Sequence, residues 1–251
     1  MTQTVGMGVV GRLLGVFTSP SKTFEDIAAR PGWDWLVPVA IIIAAFWILQ
    51  SMAVPKIDTE QQFKDQMTMM SKVTARMDDA QRAKFEQQTR EGIEAQGKPS
   101  RRALGLLFII GFMLFVPALY RGIAAAFGRQ ATYKRLLAGY AYTWMIYLIP
   151  FVLTIIIVAT RSTIDAGELQ TARLLKSNVA AFLDFDTTSK PLLAILSSVD
   201  VFDIWGYIVG SISVSKMTDF TRKGAFAVVG SVWGLYIVCK IIAGLFAGMA
   251  G

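Results

Sequence analysis

A chain of 251 residues in which 54% are hydrophobic and only 17% charged departs from soluble domains, which carry roughly a quarter charged residues. The net charge of +7 is scattered between apolar runs, with no basic face or nucleic-acid motif, so nucleic acid is not expected as a partner. Histidine is absent and Cys239 is the single cysteine, which excludes an intrachain disulfide and removes the commonest metal ligand and neutral-pH base.

Met1 to Val10 has no basic region ahead of its apolar residues and no small-residue cleavage site, so no cleaved signal peptide is expected. Gly11 to Phe17 is apolar apart from Arg12 and too short to cross a bilayer. Ser19-Pro20 opens a helix, with Ser19 as N-cap and Pro20 at the first helical position. Phe24, Ile27 and Ala28 share one face of it, while Lys22, Glu25 and Asp26 fall largely on another. That pattern predicts an amphipathic helix lying on the membrane surface. Arg30-Pro31-Gly32 ends it, and Trp33 and Trp35 mark a membrane entry point.

Five apolar runs follow: 35–54, 103–127, 136–159, 192–215 and 224–249. At ~1.5 Å per residue each covers the ~30 Å hydrocarbon core. Pro117 and Pro150 are interior to the second and third and should kink them. Between the first two runs lies the polar segment 55–102. Phe63, Met67, Met70, Thr74 and Met77 recur in it at helical spacing, and Asp78 with Gln81 reads as a capping-box restart. A second helix carrying Phe85 and Ile93 ends near Gly97-Lys98-Pro99, so a helical hairpin is predicted. In the polar segment 160–190, Thr171 to Leu183 reads as one interfacial helix and Asp184 to Ser189 as a turn. The predicted fold is thus an all-α polytopic bundle of five transmembrane helices. Residues 1–34 form an N-terminal segment with an amphipathic helix; residues 35–251 form the membrane domain, including the 55–102 extramembrane hairpin.

Apart from Arg121 near the end of the second run, three charged residues fall within the runs: Asp200, Asp203 and Lys240. Asp203 and Lys240 lie at similar depth, roughly 13–17 Å from one surface at 1.5 Å per residue. A lone charge at the bilayer centre costs about 2.5–3.5 kcal/mol, so Lys240 is expected to pair with Asp203 or with Asp200, docking the last two helices. The same charges leave a small transporter or channel open as an alternative. Gly206 with Gly210, Gly230 with Gly234, and Gly244 with Gly248 are spaced for close helix packing. No phosphate loop, dinucleotide fingerprint, metal-ligand cluster or nucleophile–base pair can be assembled. No catalytic residue, cofactor or metal is expected, and the chain reads as a non-enzyme.

The short connections 128–135 and 216–223 carry six basic residues in sixteen positions, against fourteen in seventy-nine for the two longer loops. Charge close to span ends counts most, which favours a cytoplasmic N-terminus although the raw count, ten against fourteen, runs the other way. Five spans then put the C-terminus on the opposite side.

At Leu13 to Ile27 (LLGVFTSPSKTFEDI) the chain resembles the Yip-domain (Ypt-interacting protein) family, with Ser19, Pro20 and Phe24 carrying the match. The resemblance continues at Asp200 to Trp205 (DVFDIW) and Thr221 to Ala225 (TRKGA), and in architecture covers the whole chain. It implies a prokaryotic-type inner-membrane protein with its N-terminus in the cytosol. Eukaryotic relatives contact Rab GTPases through cytosolic N-terminal segments. Here that segment is short and lacks their acidic-tyrosine motif, so a Rab-type GTPase is not an expected partner. The expected role is a scaffold that organises membrane or binds a membrane partner, through the helix around Phe24 and the 55–102 hairpin. A subunit of a larger complex and a homo-oligomer are the other partner readings.

Overall fold

A computed structural model describes residues 6–170, 173–184 and 188–249, apart from the side chains of 69, 72, 167, 170, 173, 190 and 243–249. The chain opens with α1 (Val9–Thr18) and α2 (Pro20–Ala29), joined at Ser19. Pro20 takes the first helical position and Ser19 the N-cap, without a side-chain bond. Then come α3 (Leu36–Ala53), α4 (Thr59–Met69), α5 (Ser71–Thr74), α6 (Asp79–Gln96) and α7 (Pro99–Ala126). The rest is α8 (Tyr133–Thr143), α9 (Leu148–Thr160), α10 (Ala166–Gln170), α11 (Lys190–Leu196), α12 (Val201–Met217) and α13 (Arg222–Met249). Among the described residues, four stretches are long and apolar enough to cross a membrane: Leu36–Lys56, Pro99–Ala126, Tyr133–Thr160 and Arg222–Ile242.

The predicted fourth span, 192–215, is two helices. α11 stops at Leu196 and α12 starts at Val201. The hydroxyls of Ser197 and Ser198 both donate back to the Ala194 carbonyl, at 3.1 and 2.9 Å, a side-chain alternative to the helical ladder. Beyond them the backbone pairs with another segment: Asp200 bridges Asn178, and the Val179 amide donates to the Val199 carbonyl at 3.2 Å. The third span is interrupted by a 3₁₀ turn, Trp144–Tyr147, just ahead of Pro150, which has no N–H for the Ile146 carbonyl. Pro117 is accommodated inside α7.

In the predicted 171–183 interfacial helix, residues 171 and 172 lie outside the described ones. The remainder forms 3₁₀ turns at Arg173–Leu175 and Val179–Phe182. Between them Lys176 takes a positive φ of 52°, which stops a helix from running through.

The described residues pack as two compact units. The first comprises Met1–Phe46, Leu107–Phe151 and Val201–Leu235. In it α2 lies on α8 and α12, and α1 packs on α2 and α8. Phe24 and Ile27, expected to face the membrane surface, are 0% exposed. Protein covers them instead, in a core with Val16, Leu136, Tyr142 and Met217. Two glycines permit the close crossings. A Cβ on Gly15 would stand 2.2 Å from Thr23 Oγ1, and one on Gly139 would stand 2.5 Å from Ser213 Oγ.

The second unit comprises Trp47–Leu106, Val152–Asp200 and Tyr236–Gly251. Here α4 and α6 pack on each other as a hairpin. Asp58 accepts from the Gln61 amide at 2.9 Å to cap α4. Asp78 and Gln81 form the predicted capping box of α6. The Arg90 guanidinium lies 3.9 Å from the centre of the Phe63 ring while bonding Glu60 at 2.7 Å. Lys56 donates to the carbonyls of Val158 and Arg161 at 2.7 and 2.8 Å, a cation on the last carbonyls of α9.

Candidate functional site

The most heavily bonded buried charge in the first unit is Arg12. It sits on α1 facing α2, and the side chain is 6% exposed. A guanidinium out of water needs acceptors in a fixed fork, and here they come from four directions. Nε donates to Asp26 at 2.8 Å and Nη1 to Asp34 at 2.6 Å. Nη2 reaches the carbonyls of Asp26 and Arg30 at 3.4 and 3.3 Å. Asp34 in turn accepts from the buried Tyr142 hydroxyl at 2.7 Å, bringing α8 into the cluster. Asp26 also accepts from the Met7 amide at 3.2 Å and pairs with Arg30 one turn along α2.

Two arginines and two aspartates make the cluster electrically neutral. Burial works against the charge of Arg12, but the bonds and charges of Asp26 and Asp34 outweigh it and raise its pKa above the ordinary value. Burial likewise opposes ionisation of Asp26. The hydrogen bonds from Arg12, Arg30 and Met7 prevail, holding this carboxyl below its ordinary range. Such an arrangement binds α1, α2, the 30–35 turn and α8 together; its donors are spent on its own acceptors.

The predicted intramembrane charges lie elsewhere. In the second unit, the Lys240 ammonium donates to the hydroxyls of Ser197 and Ser198, both at 2.9 Å. Those serines begin the turn that ends at Asp200, and Asp200 accepts from the Ser177 hydroxyl. In the first unit, Asp203 is bonded by Tyr147. Among the described residues no group of three or more Cys, Asp or Glu side chains could share a metal ion.

Of the glycines, Gly206 lies under the Tyr147 hydroxyl, where a Cβ would come to 2.6 Å, and Gly210 lies beside Thr143 and Val229 at 3.6 and 3.8 Å. Gly230 faces Tyr207 at 3.1 Å, and the Cβ position of Gly234 meets no atom within 4 Å. The surroundings of Gly244 and Gly248 fall outside the described residues.

The Yip1 domain model matches residues 14–243, nearly the whole chain. The chain belongs to the Yip1 domain family. It is a multi-pass integral membrane protein, and Yip1 domain proteins are generally non-enzymatic. It is 25% identical over 240 residues to the membrane protein YknW of Bacillus subtilis (strain 168), which spans 95% of this chain and 92% of that one. No solved structure matches it. Within the Yip1 domain, the segments that carry the resemblance touch: Phe17 meets Trp205 edge-on with centroids 6.1 Å apart, and Phe24 is buried where α2 lies on α12.

Sequence reasoning missed Arg12, Asp34 and Tyr142. A signal for the first was present. An arginine inside ten otherwise apolar or small residues requires an acidic partner, and Asp26 and Asp34 are among the nearest acids that follow. Nothing in the sequence pattern points to Tyr142, 108 residues beyond Asp34.

Proposed function

We propose that this Yip1 domain protein is a non-enzymatic scaffold of a bacterial plasma membrane that binds a membrane-protein partner through its α4–α6 hairpin. The observation that carries the reading is the hairpin's self-sufficiency. Its own caps and the Arg90–Phe63–Glu60 contacts hold it, and a mixed-charge outer surface including Arg82, Lys84, Glu91 and Glu94 is exposed. The surface around Phe24 does not serve, because protein already buries it.

The reading includes five membrane crossings, the fourth made by 190–217 in two helical pieces. The N-terminus is cytosolic and the C-terminus on the opposite side, as the dense basic charge of the short connections favours. Lys240 pairs with Asp200 and holds the last two crossings together, a partnership favoured by its bonds to Ser197 and Ser198 at the same turn. Affinity capture of the full-length chain from native membranes tests the role. One stoichiometric membrane partner is expected, lost when 58–97 is replaced by a short linker. Recovery of the same proteins with and without the hairpin would refute it.

A further inference from the structure

At one end of the first unit, three cations gather around one carboxylate. Glu25, on α2, forms an ion pair with Lys216, the penultimate residue of α12. Lys22 stands one turn before Glu25 on the same helix, where residues three apart are neighbours. Arg222 opens α13 just past the α12–α13 connection. The bond from Lys216, its charge, and the charges of Arg222 and Lys22 together hold the Glu25 carboxyl below its ordinary range. The group carries three positive charges against one negative and is open to solvent: Lys22, Glu25 and Arg222 are all exposed.

Its level in the molecule is fixed by the helices that carry it. Arg222 begins the apolar stretch Arg222–Ile242, long enough to cross a membrane, and Lys216 lies in the last turn of the 17-residue helix α12 before it. The ends of spanning helices lie where lipid phosphates lie. An apolar wall adjoins the same connection, since Phe220 packs edge-on against Phe127 with centroids 6.2 Å apart, and Phe127 is 70% exposed. A second basic connection starts there, at Arg129.

We propose that Lys22, Lys216 and Arg222 form a binding site for the phosphate of an anionic phospholipid, with Glu25 as a built-in competitor that the lipid phosphate displaces from Lys216. The cations take the phosphate as charge-assisted donors, and the Phe127–Phe220 pair borders the glycerol and upper acyl region. Nothing in this depends on the α4–α6 hairpin, so loss of partner capture and loss of lipid binding report separately.

Native mass spectrometry of the purified full-length chain, titrated with phosphatidylglycerol or with phosphatidylcholine of the same acyl chains, tests the site. Phosphatidylglycerol is expected to be retained preferentially. Each neutralised cation should weaken it about fivefold, so Lys216→Gln with Arg222→Gln together cost about twenty-five-fold. Glu25→Gln should strengthen it about fivefold, while Asp219→Asn, which removes an exposed acid of the same connection, changes little. The charge-keeping pair Lys216→Arg with Arg222→Lys should retain binding within about twofold, because near anionic lipid each Lys or Arg contributes a similar amount. Equal retention of the two lipids overturns the proposal, as does undiminished binding by the double glutamine variant or loss of binding by the charge-keeping pair. An equal gain from Asp219→Asn and Glu25→Gln means a diffuse basic surface instead of a site. Displacement by millimolar inorganic phosphate means a soluble-anion site, and either result also overturns it.

Discussion

Arg12 is charged, buried and bonded to two carboxylates and two carbonyls, and its value to the fold lies in what its loss would strand. Arg12→Leu leaves the half-buried Asp26 and Asp34 with one counter-charge removed. Breaking a buried pair in this way costs about 3–5 kcal/mol, to be read as a fall in melting temperature of the detergent-solubilised chain. Arg12→Lys should recover only part, because an ammonium cannot span both carboxylates with the guanidinium's planar fork. The same cluster has a pH signature. Asp26 titrates below its ordinary 3.8 in the folded chain, so its pairing stabilises at every pH above that value. The contribution is lost as the pH falls further, through the depressed folded value. In Asp26→Asn this acid-side loss should vanish from the melting profile, and a profile with the wild-type slope would count against the assignment. Lys240 and Asp200 offer a reciprocal case. Lys240→Asp and Asp200→Lys should each destabilise, and the double swap should restore stability if the two are partners. No rescue removes the pairing.

Among elements, the α1–α2 crossing depends on the missing side chain at position 15. Alanine in place of glycine inside a helix ordinarily stabilises by about 0.5–1 kcal/mol. Here the new Cβ would stand 2.2 Å from Thr23 Oγ1, and overpacking of this kind costs about 1–3 kcal/mol. The clash should win, so Gly15→Ala is expected to lower the melting temperature and Thr23→Ala in the same chain to relieve it. How far such elements could be read beforehand follows from what each signal measures. Four of the five hydrophobic runs and the Asp78–Gln81 box are local signals, and the helices those announce are present. Amphipathicity in α2 announced a covered face without saying what covers it, and α8 and α12 lie far along the chain. The 192–215 run reads as one helix in the sequence because hydropathy averages over side chains. The break at Ser197–Asp200 is made by serine hydroxyls turning back on Ala194 and by a backbone bridge to Asn178.

For the molecule as a whole, the crossing count and orientation make a joint expectation. In a Cys239→Ser background, Gln87→Cys on α6 and Gln130→Cys between α7 and α8 should be labelled from opposite faces of sealed vesicles, with Gln130→Cys on the cytosolic face. Labelling from one common face would overturn the topology. The cluster around Arg12 also sets an order in time. Both carboxylates that hold Arg12 lie within the next 22 residues, whereas Tyr142 lies 108 residues after Asp34. At ~5–20 residues per second of synthesis, Tyr142 emerges roughly 5–20 s later. The ion pairs can close while the ribosome is still making the first span. The later helices therefore assemble onto an N-terminal hairpin whose charges are already neutralised, and translation itself schedules the burial of Arg12.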